Sequence, residues 1–415
     1  MATTLFTSYK MKKAKILLLI VIVLLPLTLA SCSPWGSQSA GGWAGTAIHD
    51  GIIYAGTKDG RVVAINSSTE NLEWAYSIAP VTAPSGGLSC GQTSVPTAIY
   101  STPVVDRDIV YIGTYSGQVL ALNMSARSQD LTFPRRGDGE WEWNCPDNAK
   151  SKAIVADLLL SGDNIYVSSS NGRVYSLDKG SGDENWRQEN IPLLSEKLWT
   201  SPVIQGNTLY VSTYDGHVYA LSVETGVSIV NGIPDWIFES EAGFASSPMI
   251  YEDTIFVGSF DRYLYAVNVT IGSDEPMWKF PREKPADNWF WASPVINEGI
   301  VYAGCLDGTV YAIEAKTGEK LWEFDAGDPI VTSPVLMDNL LIVINESGTV
   351  YVFDLDAELG GEAAPLKTIS IGADVRSSFC AQESLVYIRG EDNWIYAVDI
   401  DAGGVIWKID LNIEE

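Results

Sequence analysis

Short runs of β-branched, aromatic and other apolar residues alternate with polar turn residues along most of the chain. The pattern is most complete between residues 301 and 324. Residues 301–304 and 309–313 have strand composition, and Asp307-Gly308 between them is a dipeptide preferred in two-residue type I′ hairpin turns. The sequence therefore predicts a β-hairpin here.

Two further strands flank this hairpin. Residues 321–324 predict one strand, and Gly318 in the turn before it can adopt a positive φ. Residues 293–296 predict the other, with Pro294 at its start, where a missing N–H costs least. Together these segments form a four-strand unit.

The four-strand unit recurs eight times. Each copy has an anchor residue in its second strand, and the anchors are Tyr54, Tyr111, Tyr166, Tyr210, Phe256, Tyr302, Ile342 and Tyr387. A turn pair follows five positions after every anchor, as in Asp59-Gly60 and Ser347-Gly348. A period of about 40 to 50 residues with four strands per unit is typical of β-propellers. We therefore predict an all-β fold, an eight-bladed β-propeller of four-stranded blades.

The end of each unit carries a motif that resembles the tryptophan-docking motif of pyrroloquinoline-quinone-type (PQQ-like) propeller repeats. Its spacing is A-x5-G-x3-W, and two complete copies are Ala312, Gly318, Trp322 and Ala397, Gly403, Trp407. Blade 2 has Leu131 where the tryptophan is expected, and blade 7 has no such tryptophan. The resemblance covers roughly residues 43–411 and implies the fold of the quinoprotein alcohol dehydrogenase-like superfamily.

The first 31 residues predict a signal peptide that does not belong to the folded domain. Four lysines precede an apolar run at residues 16–29, which ends in Leu29-Ala30-Ser31-Cys32. This ending resembles the lipobox of bacterial lipoproteins and implies a lipid on Cys32. We expect a signal peptide at 1–31, a tether at 32–42 and the propeller at 43–415. A plain transmembrane anchor is the alternative, and the start at Met1 or Met11 stays open.

The composition is acidic, with a formal charge of -26. Removal of the four lysines in residues 1–31 would bring the charge to -30, because that segment contains no acidic residue. Nucleic acid is excluded as a partner, since affinity for it depends on lysine and arginine. The chain is expected to be a monomeric propeller in the cell envelope, anchored by the lipid on Cys32 to a bacterial membrane, the outer membrane if the cell has one.

Two insertions lengthen the early repeats, at residues 79–99 and at about 135–152. We expect each to connect the outer strand of one blade to the inner strand of the next. Cys90 lies in the first and Cys145 in the second, and disulfides persist in exported proteins. The sequence predicts a bridge between them, whereas Cys305 and Cys380 are expected to be buried free thiols.

The chain lacks residues that several kinds of catalysis require. The chain has no Cys-Cys pair of the kind that PQQ-dependent dehydrogenases use beside the quinone, and no C-x-x-C-H haem motif. His49 and His217 are its two histidines, too few for a histidine-rich metal centre or a histidine-dependent triad with orienting partners. We therefore expect that the protein is not an enzyme and that it binds no metal and no cofactor. PQQ in particular is disfavoured.

The first strands of the blades are expected to begin at the mouth of a central channel. Aromatic residues and one arginine recur three positions before the proline position, and the candidate binding funnel consists of Trp43, Tyr100, Trp199, Trp291 and Arg376. Small polar residues follow two positions later, including Ser201 and Ser293, with Asp157 in blade 3. A few polar groups among aromatic residues are typical of ligand and partner sites. The alternative is that these side chains only fill the channel.

Three functions fit these features. The first is a non-enzymatic, membrane-tethered scaffold that binds a protein partner, similar in architecture to BamB-type lipoproteins of outer-membrane protein assembly. The second is a ligand-binding or quinone-binding propeller related to PQQ-dependent dehydrogenases. The third is adhesion through Arg136-Gly137-Asp138. The first is the leading hypothesis.

Overall fold

The computed structural model describes residues 44–78, 81–82, 94–95, 97–124, 140–146, 152–188, 198–230, 237–244, 246–269, 275–357 and 361–412. Within these ranges the regular secondary structure consists of strands, and they form eight sheets that are each built on four antiparallel strands. The sheets are the blades of a β-propeller, as the repeat predicts.

The first strand of every blade is short and half-buried. In chain order the first strands are Thr46–His49, Val104–Asp106, Leu159–Ser161, Val203–Gln205, Met249–Tyr251, Val295–Asn297, Val335–Met337 and Cys380–Gln382. The second strands are Ile52–Gly56, Ile109–Gly113, Asn164–Ser169, Thr208–Ser212, Thr254–Gly258, Ile300–Gly304, Leu340–Ile344 and Leu385–Arg389.

The third and fourth strands complete each blade. The third strands are Arg61–Asn66, Gln118–Asn123, Arg173–Asp178, His217–Ser222, Leu264–Asn268, Thr309–Glu314, Thr349–Asp354 and Trp394–Asp399. The fourth strands are Asn71–Ser77, Trp141–Asn144, Glu184–Arg187, Phe238–Glu239, Trp278–Phe280, Lys320–Asp325, Lys367–Ser370 and Gly404–Asp410. Outside this plan, Gly361–Glu362 pairs in parallel with the fourth strand of blade 6, and Val81–Thr82 pairs with Ser94–Val95.

The core lies between the blades. Eight clusters of buried apolar side chains each join two neighbouring blades, and one of them packs Ile53 and Val63 of blade 1 against Tyr387 and Ile395 of blade 8. Second and third strands are buried on both faces because a blade packs on each side of them. The eight clusters therefore close a ring.

Blade 1 packs on blade 8 without an exchanged strand among the described residues. Polar contacts reinforce this junction. The Thr46 N–H donates to the Ser378 carbonyl over 3.1 Å, and the Arg61 guanidinium donates to the Leu411 carbonyl over 2.8 Å. Buried Arg389 donates to the Ala44 carbonyl over 3.3 Å.

The hairpin between the second and third strands differs from the prediction. In blade 6 the Cys305 N–H donates to the Thr309 carbonyl and the Gly308 N–H donates to the Cys305 carbonyl, so the loop contains three residues. Gly308 has φ of 92°, whereas Asp307 does not have a positive φ. A type I′ turn needs positive φ at both central residues. The predicted two-residue turn is therefore wrong, and a three-residue loop with a left-handed glycine takes its place.

Each anchor belongs to a row of side chains that crosses the blade. In blade 6, Tyr302 pairs with Ala312 and Ala312 pairs with Trp322, and the Tyr302 and Trp322 rings lie 5.8 Å apart. Five other blades have the same arrangement, namely blades 1, 2, 3, 5 and 8. The small residue in the middle leaves room for the two large rings.

The tryptophan also fastens one blade to the next. Trp278 of blade 5 donates from its indole N–H to the Ala315 carbonyl of blade 6 over 2.9 Å, and its ring lies against Gly318. Trp186 makes the equivalent contacts with Val223 and Gly226. Gly318 and Gly226 have positive φ, and a Cβ there would meet the ring within 2.6 Å.

Two predictions about blade 2 were wrong. The docking residue is Trp141, because its indole N–H donates to the Lys179 carbonyl over 2.9 Å and its ring lies against Gly182. Trp141–Asn144 pairs with the third strand, so the second insertion precedes the outer strand instead of following it. Leu131 lies outside the described residues. The long insertion hid the true motif from a search at fixed spacing.

Candidate binding site at the channel mouth

Four of the five residues of the predicted funnel line one cavity where the first strands begin. Tyr100, Trp199, Trp291 and Arg376 lie around a cavity of about 460 Å³, whereas Trp43 is outside the described residues. Each of these four residues stands four positions before the first strand of its blade, so equivalent positions bring them together. The structure thus brings four predicted residues together, and their binding role stays a prediction.

A ring of small polar residues forms the next layer of the channel. Its members, in blade order, are Gly45, Thr102, Asp157, Ser201, Ser247, Ser293, Ser333 and Ser378. The N–H of Ser247 donates to the Ser293 hydroxyl, and the N–H of Ser293 donates to the Ser333 hydroxyl, both over 3.0 Å. Backbone groups that point into the channel therefore find partners in the neighbouring blade.

Asp157 is the acidic member of this ring. Its Oδ1 accepts a hydrogen bond of 2.6 Å from the N–H of Thr102 in blade 2. Burial raises the pKa of Asp157, and the hydrogen bond from Thr102 opposes that rise. Ionisation of this carboxyl group therefore costs free energy because the group is partly removed from water. The group nevertheless lines the cavity.

Aromatic side chains continue outwards from the cavity on blades 4 to 6. We define the aromatic rim as Trp199, Tyr214, Phe260, Trp289 and Trp291. Successive rings lie 5.0 to 6.1 Å apart, mostly edge to face. Trp199, Tyr214 and Trp289 are 37%, 42% and 41% exposed, so this is a connected aromatic surface open to solvent.

Sequence reasoning missed Tyr214, Phe260 and Trp289. Tyr214 and Phe260 stand four positions after the anchors of their blades, in the loop between second and third strands. That loop lies at the channel mouth because the Phe260 N–H donates to the Gly243 carbonyl, which precedes a first strand. A comparison of this position across the repeats could have found both residues.

The opposite side of the mouth is charged. The same loop position holds Lys58, Glu346 and Glu391 in blades 1, 7 and 8. Lys58 Nζ lies 3.0 Å from Glu391 Oε2, and Arg376 Nη2 lies 2.6 Å from Glu346 Oε1. Arg376 therefore enters the funnel as half of an ion pair, which the sequence did not indicate.

Groups that could act as catalysts lie apart from the cavity. His217 is on the third strand of blade 4, with Nδ1 3.2 Å from Asp215 and Nε2 3.6 Å from Glu239. Cys305 is a buried thiol and Cys380 a half-buried one, and burial raises the pKa of both, that of Cys380 to about 12. Among the described residues, no group of three or more histidine, cysteine, aspartate or glutamate side chains could hold a metal ion.

The cysteine bridge and the lipid site fall on residues that the structure does not describe. Cys32, Cys90 and Arg136-Gly137-Asp138 are outside the described ranges. Cys145 is a buried free thiol that accepts a hydrogen bond from the Asn171 amide over 3.1 Å. Its pairing with Cys90 stays a prediction. In the described part of the chain, no helix has the length and apolar character to cross a membrane.

Comparison with curated proteins finds assembly factors of the outer membrane. The outer membrane protein assembly factor BamB of Legionella pneumophila is 29% identical over 144 residues, which is 35% of this chain and 32% of that protein. BamB of Salmonella typhimurium is 27% identical over 168 residues, 40% of this chain and 36% of that protein. The chain thus aligns with about a third of the length of these relatives.

Solved structures share the fold over most of the chain. BamB from Moraxella catarrhalis superposes with a TM-score of 0.56 at 19% identity, covering 86% of this chain and 93% of that one. The computationally designed Ika8 protein superposes with a TM-score of 0.64 at 16% identity, covering 87% and 98%. At these identities the likeness concerns the fold alone.

A sequence model of one protein family matches almost all of the propeller. It is described as outer membrane protein assembly factor BamB, and it matches three overlapping segments, residues 37–188, 127–275 and 264–412. The three segments together leave only the two ends of the chain unmatched. The chain therefore belongs to the family of outer membrane protein assembly factor BamB.

Proposed function

We propose that this protein is a non-enzymatic propeller, tethered to the membrane by a lipid on Cys32, that binds a protein partner during outer-membrane protein assembly. The family supports the biological setting, since its members are described as outer membrane protein assembly factors. The aromatic rim supports protein binding and is the observation that carries the proposal.

The aromatic rim has the properties of a protein interface. Tryptophan and tyrosine contribute a large share of binding energy at protein interfaces. The rings of the aromatic rim hold one another through contacts of 5.0 to 6.1 Å, so little side-chain freedom remains to be lost on binding. The charged pairs on the opposite side, Lys58 with Glu391 and Arg376 with Glu346, supply a polar border.

The same cavity does not favour the quinone-binding alternative. PQQ carries carboxylate groups, which need cationic partners, and Arg376, the arginine at the cavity, is already held by Glu346. Asp157 would repel such a ligand. The residues present therefore do not fit this cofactor, and we derive no reaction from it.

The proposal can be tested in cells that lack the gene. We expect folded β-barrel proteins of the outer membrane to decrease in amount and to be restored by the wild-type gene. The rim variant Trp199→Ala/Tyr214→Ala/Trp289→Ala should fail to restore them, because it removes the docking surface. The matched control is Leu366→Ala/Ile406→Ala, which removes side chains that are 57% and 49% exposed at the fourth strands. Quantitative immunoblots of heat-modifiable β-barrel proteins give the readout.

A photo-crosslinking amino acid distinguishes docking from indirect effects. Placed at Trp289 it should form an adduct with a component of the β-barrel assembly machinery, whereas placed at Ile406 it should not. Normal rescue by the rim variant would contradict the proposal. So would adducts of equal yield from both positions.

A further inference from the structure

Asp157 is an exception in the ring of small polar residues around the channel. Five of the other seven blades have serine at this position, and the remaining two have Thr102 and Gly45. A small side chain therefore satisfies the fold at this position. A carboxylate at the same place adds a charge that the architecture does not require.

The negative charge of Asp157 has no cationic partner among the described residues. Asp157 accepts its hydrogen bond from the N–H of Thr102, which is a neutral donor. Arg376 is the arginine at the cavity, and Glu346 already neutralises it at 2.6 Å. An ionised carboxylate in such a place is stabilised by a positive charge that enters from outside.

Aromatic walls stand on both sides of Asp157. Tyr100 on blade 2 and Trp199 on blade 4 line the same cavity, and blade 3 with Asp157 lies between them. Tyr115 lies against Tyr100, with ring centroids 5.2 Å apart. Aromatic faces attract cations that have weak hydration shells, and a carboxylate among aromatic rings is a common arrangement around organic ammonium groups.

We propose that the channel mouth binds an organic ammonium group, with Asp157 as its counter-ion and Tyr100 and Trp199 as its aromatic walls. The group belongs either to a free amine or to a lysine side chain of a protein that reaches the cavity. A volume of about 460 Å³ accommodates both. This inference goes beyond the proposed scaffold function, because the aromatic rim could bind a partner without it.

Calorimetric titration of the purified mature protein tests the proposal. The probes are choline, its neutral isostere 3,3-dimethylbutan-1-ol, and N-acetyl-lysine methylamide as the lysine side chain, with sodium chloride as the control for general ionic effects. Choline should bind at least about tenfold more tightly than the neutral alcohol, since only the cation pairs with Asp157. Binding of choline alone assigns the site to free amines, and binding of the lysine amide extends it to protein side chains.

Two variants locate the site. Asp157→Ser restores the residue of five other blades and should weaken choline binding by at least about tenfold, as should Trp199→Ala. Asp157→Asn serves the same purpose if the serine variant does not fold, with the thermal unfolding transition as the check on folding. The control Asp328→Asn removes an exposed carboxylate outside the cavity and should leave binding unchanged.

Three results would overturn the proposal. These are equal affinity for choline and the neutral alcohol, absence of choline binding, and unchanged choline binding after loss of the Asp157 carboxylate. None of them depends on the outer-membrane assay. Failure of this inference is therefore distinguishable from failure of the proposed function.

Discussion

At the scale of single residues, ionisation of Asp157 is expected to lower the stability of the fold. Burial raises its pKa above the ordinary value of 3.8. The folded protein thus holds a proton at this carboxyl group more tightly than the unfolded chain does. Linkage therefore predicts that Asp157 costs no stability below pH 3.8, where it is protonated in both states. The free energy of unfolding then falls as the pH rises from 3.8 through the pKa of the folded state.

Asp157→Asn should therefore make the protein more stable than the wild type at pH 7. The amide oxygen of asparagine can still accept the hydrogen bond from Thr102, while the half-buried charge is gone. The urea midpoint, followed by tryptophan fluorescence, should rise at pH 7, and the gain should vanish as the pH falls to about 3.8. Asp328→Asn, at an exposed site, should show no such gain. A gain that is independent of pH would refute this account.

The channel residues also show which features of the candidate site could be predicted from the sequence. Propeller blades are equivalent, so residues at equivalent positions converge on the axis, and Tyr100, Trp199 and Trp291 could be assigned to one cavity in advance. The contacts that a side chain makes with residues of a neighbouring blade could not be assigned from the sequence. Arg376 meets Glu346 from the preceding blade, and this pair depends on the angle between blades, which no repeat alignment contains.

At the scale of elements, the blade was predictable because its four strands and their order are local in sequence. The predictions that were wrong depend on the register in which neighbouring strands pair. A two-residue and a three-residue hairpin loop both use glycine, so Asp307-Gly308 alone does not distinguish them. Trp141 was missed because an insertion separates it from its third strand, although it pairs with Ala121 as the other docking tryptophans pair with their partners.

Blade 7 shows how the docking contact is replaced when the tryptophan is absent. Lys367 pairs with Val352, at the place where Trp322 pairs with Ala312 in blade 6. Its Nζ donates to the Ile400 carbonyl over 2.6 Å, which is the carbonyl that receives the indole N–H in other blades. The hydrogen bond is thus kept while the ring is lost. As a result, Gly403 in blade 8 has open space around it.

Gly318 and Gly403 allow the ring contact to be measured. Gly318→Ala should destabilise the protein through two effects, an alanine at φ of 71° and a Cβ that would lie 2.6 Å from the Trp278 ring. Gly403→Ala has the first effect alone, since φ is 74° and no atom lies within 4 Å. The free energy of unfolding should fall by about 1 kcal/mol for Gly403→Ala and by about 1–3 kcal/mol more for Gly318→Ala. Equal losses in urea denaturation would mean that the ring is not tightly packed against the turn.

At the scale of the whole molecule, the two sides of the channel mouth differ although the blades repeat. Blades 4 to 6 carry the aromatic rim, and blades 7, 8 and 1 carry paired charges. The strands beneath are nearly uniform. The difference arises from the loop position four residues after each anchor, from the position four residues before each first strand, and from Trp289, which stands at neither. A partner that binds the mouth would meet an apolar half and a polar half, and this would fix its orientation.

The apolar and charged halves of the channel mouth can orient a partner only if the propeller is kept close to that partner, at the membrane. Residues 16–29 number 14, and a helix of that length would extend about 21 Å, short of the roughly 30 Å of a bilayer core. In the proposed function, the lipid on Cys32 is the anchor, since the apolar segment is too short to span the bilayer. The expected tether at 32–42 is rich in small and polar residues, a composition typical of spacers.

Mass spectrometry of the protein purified from its native membrane should therefore find an N-terminus at Cys32 that carries a diacylglycerol group. The protein should sediment with membranes and be released by detergent but not by high salt, because the lipid anchor is hydrophobic and salt screens only charges. As the control, a chain that starts at Ser33 behind a non-lipoprotein signal peptide should be soluble after export and keep the thermal unfolding transition of the wild type. An unmodified Cys32, or membrane association of the Ser33 chain that resists salt, would show that the anchor lies elsewhere.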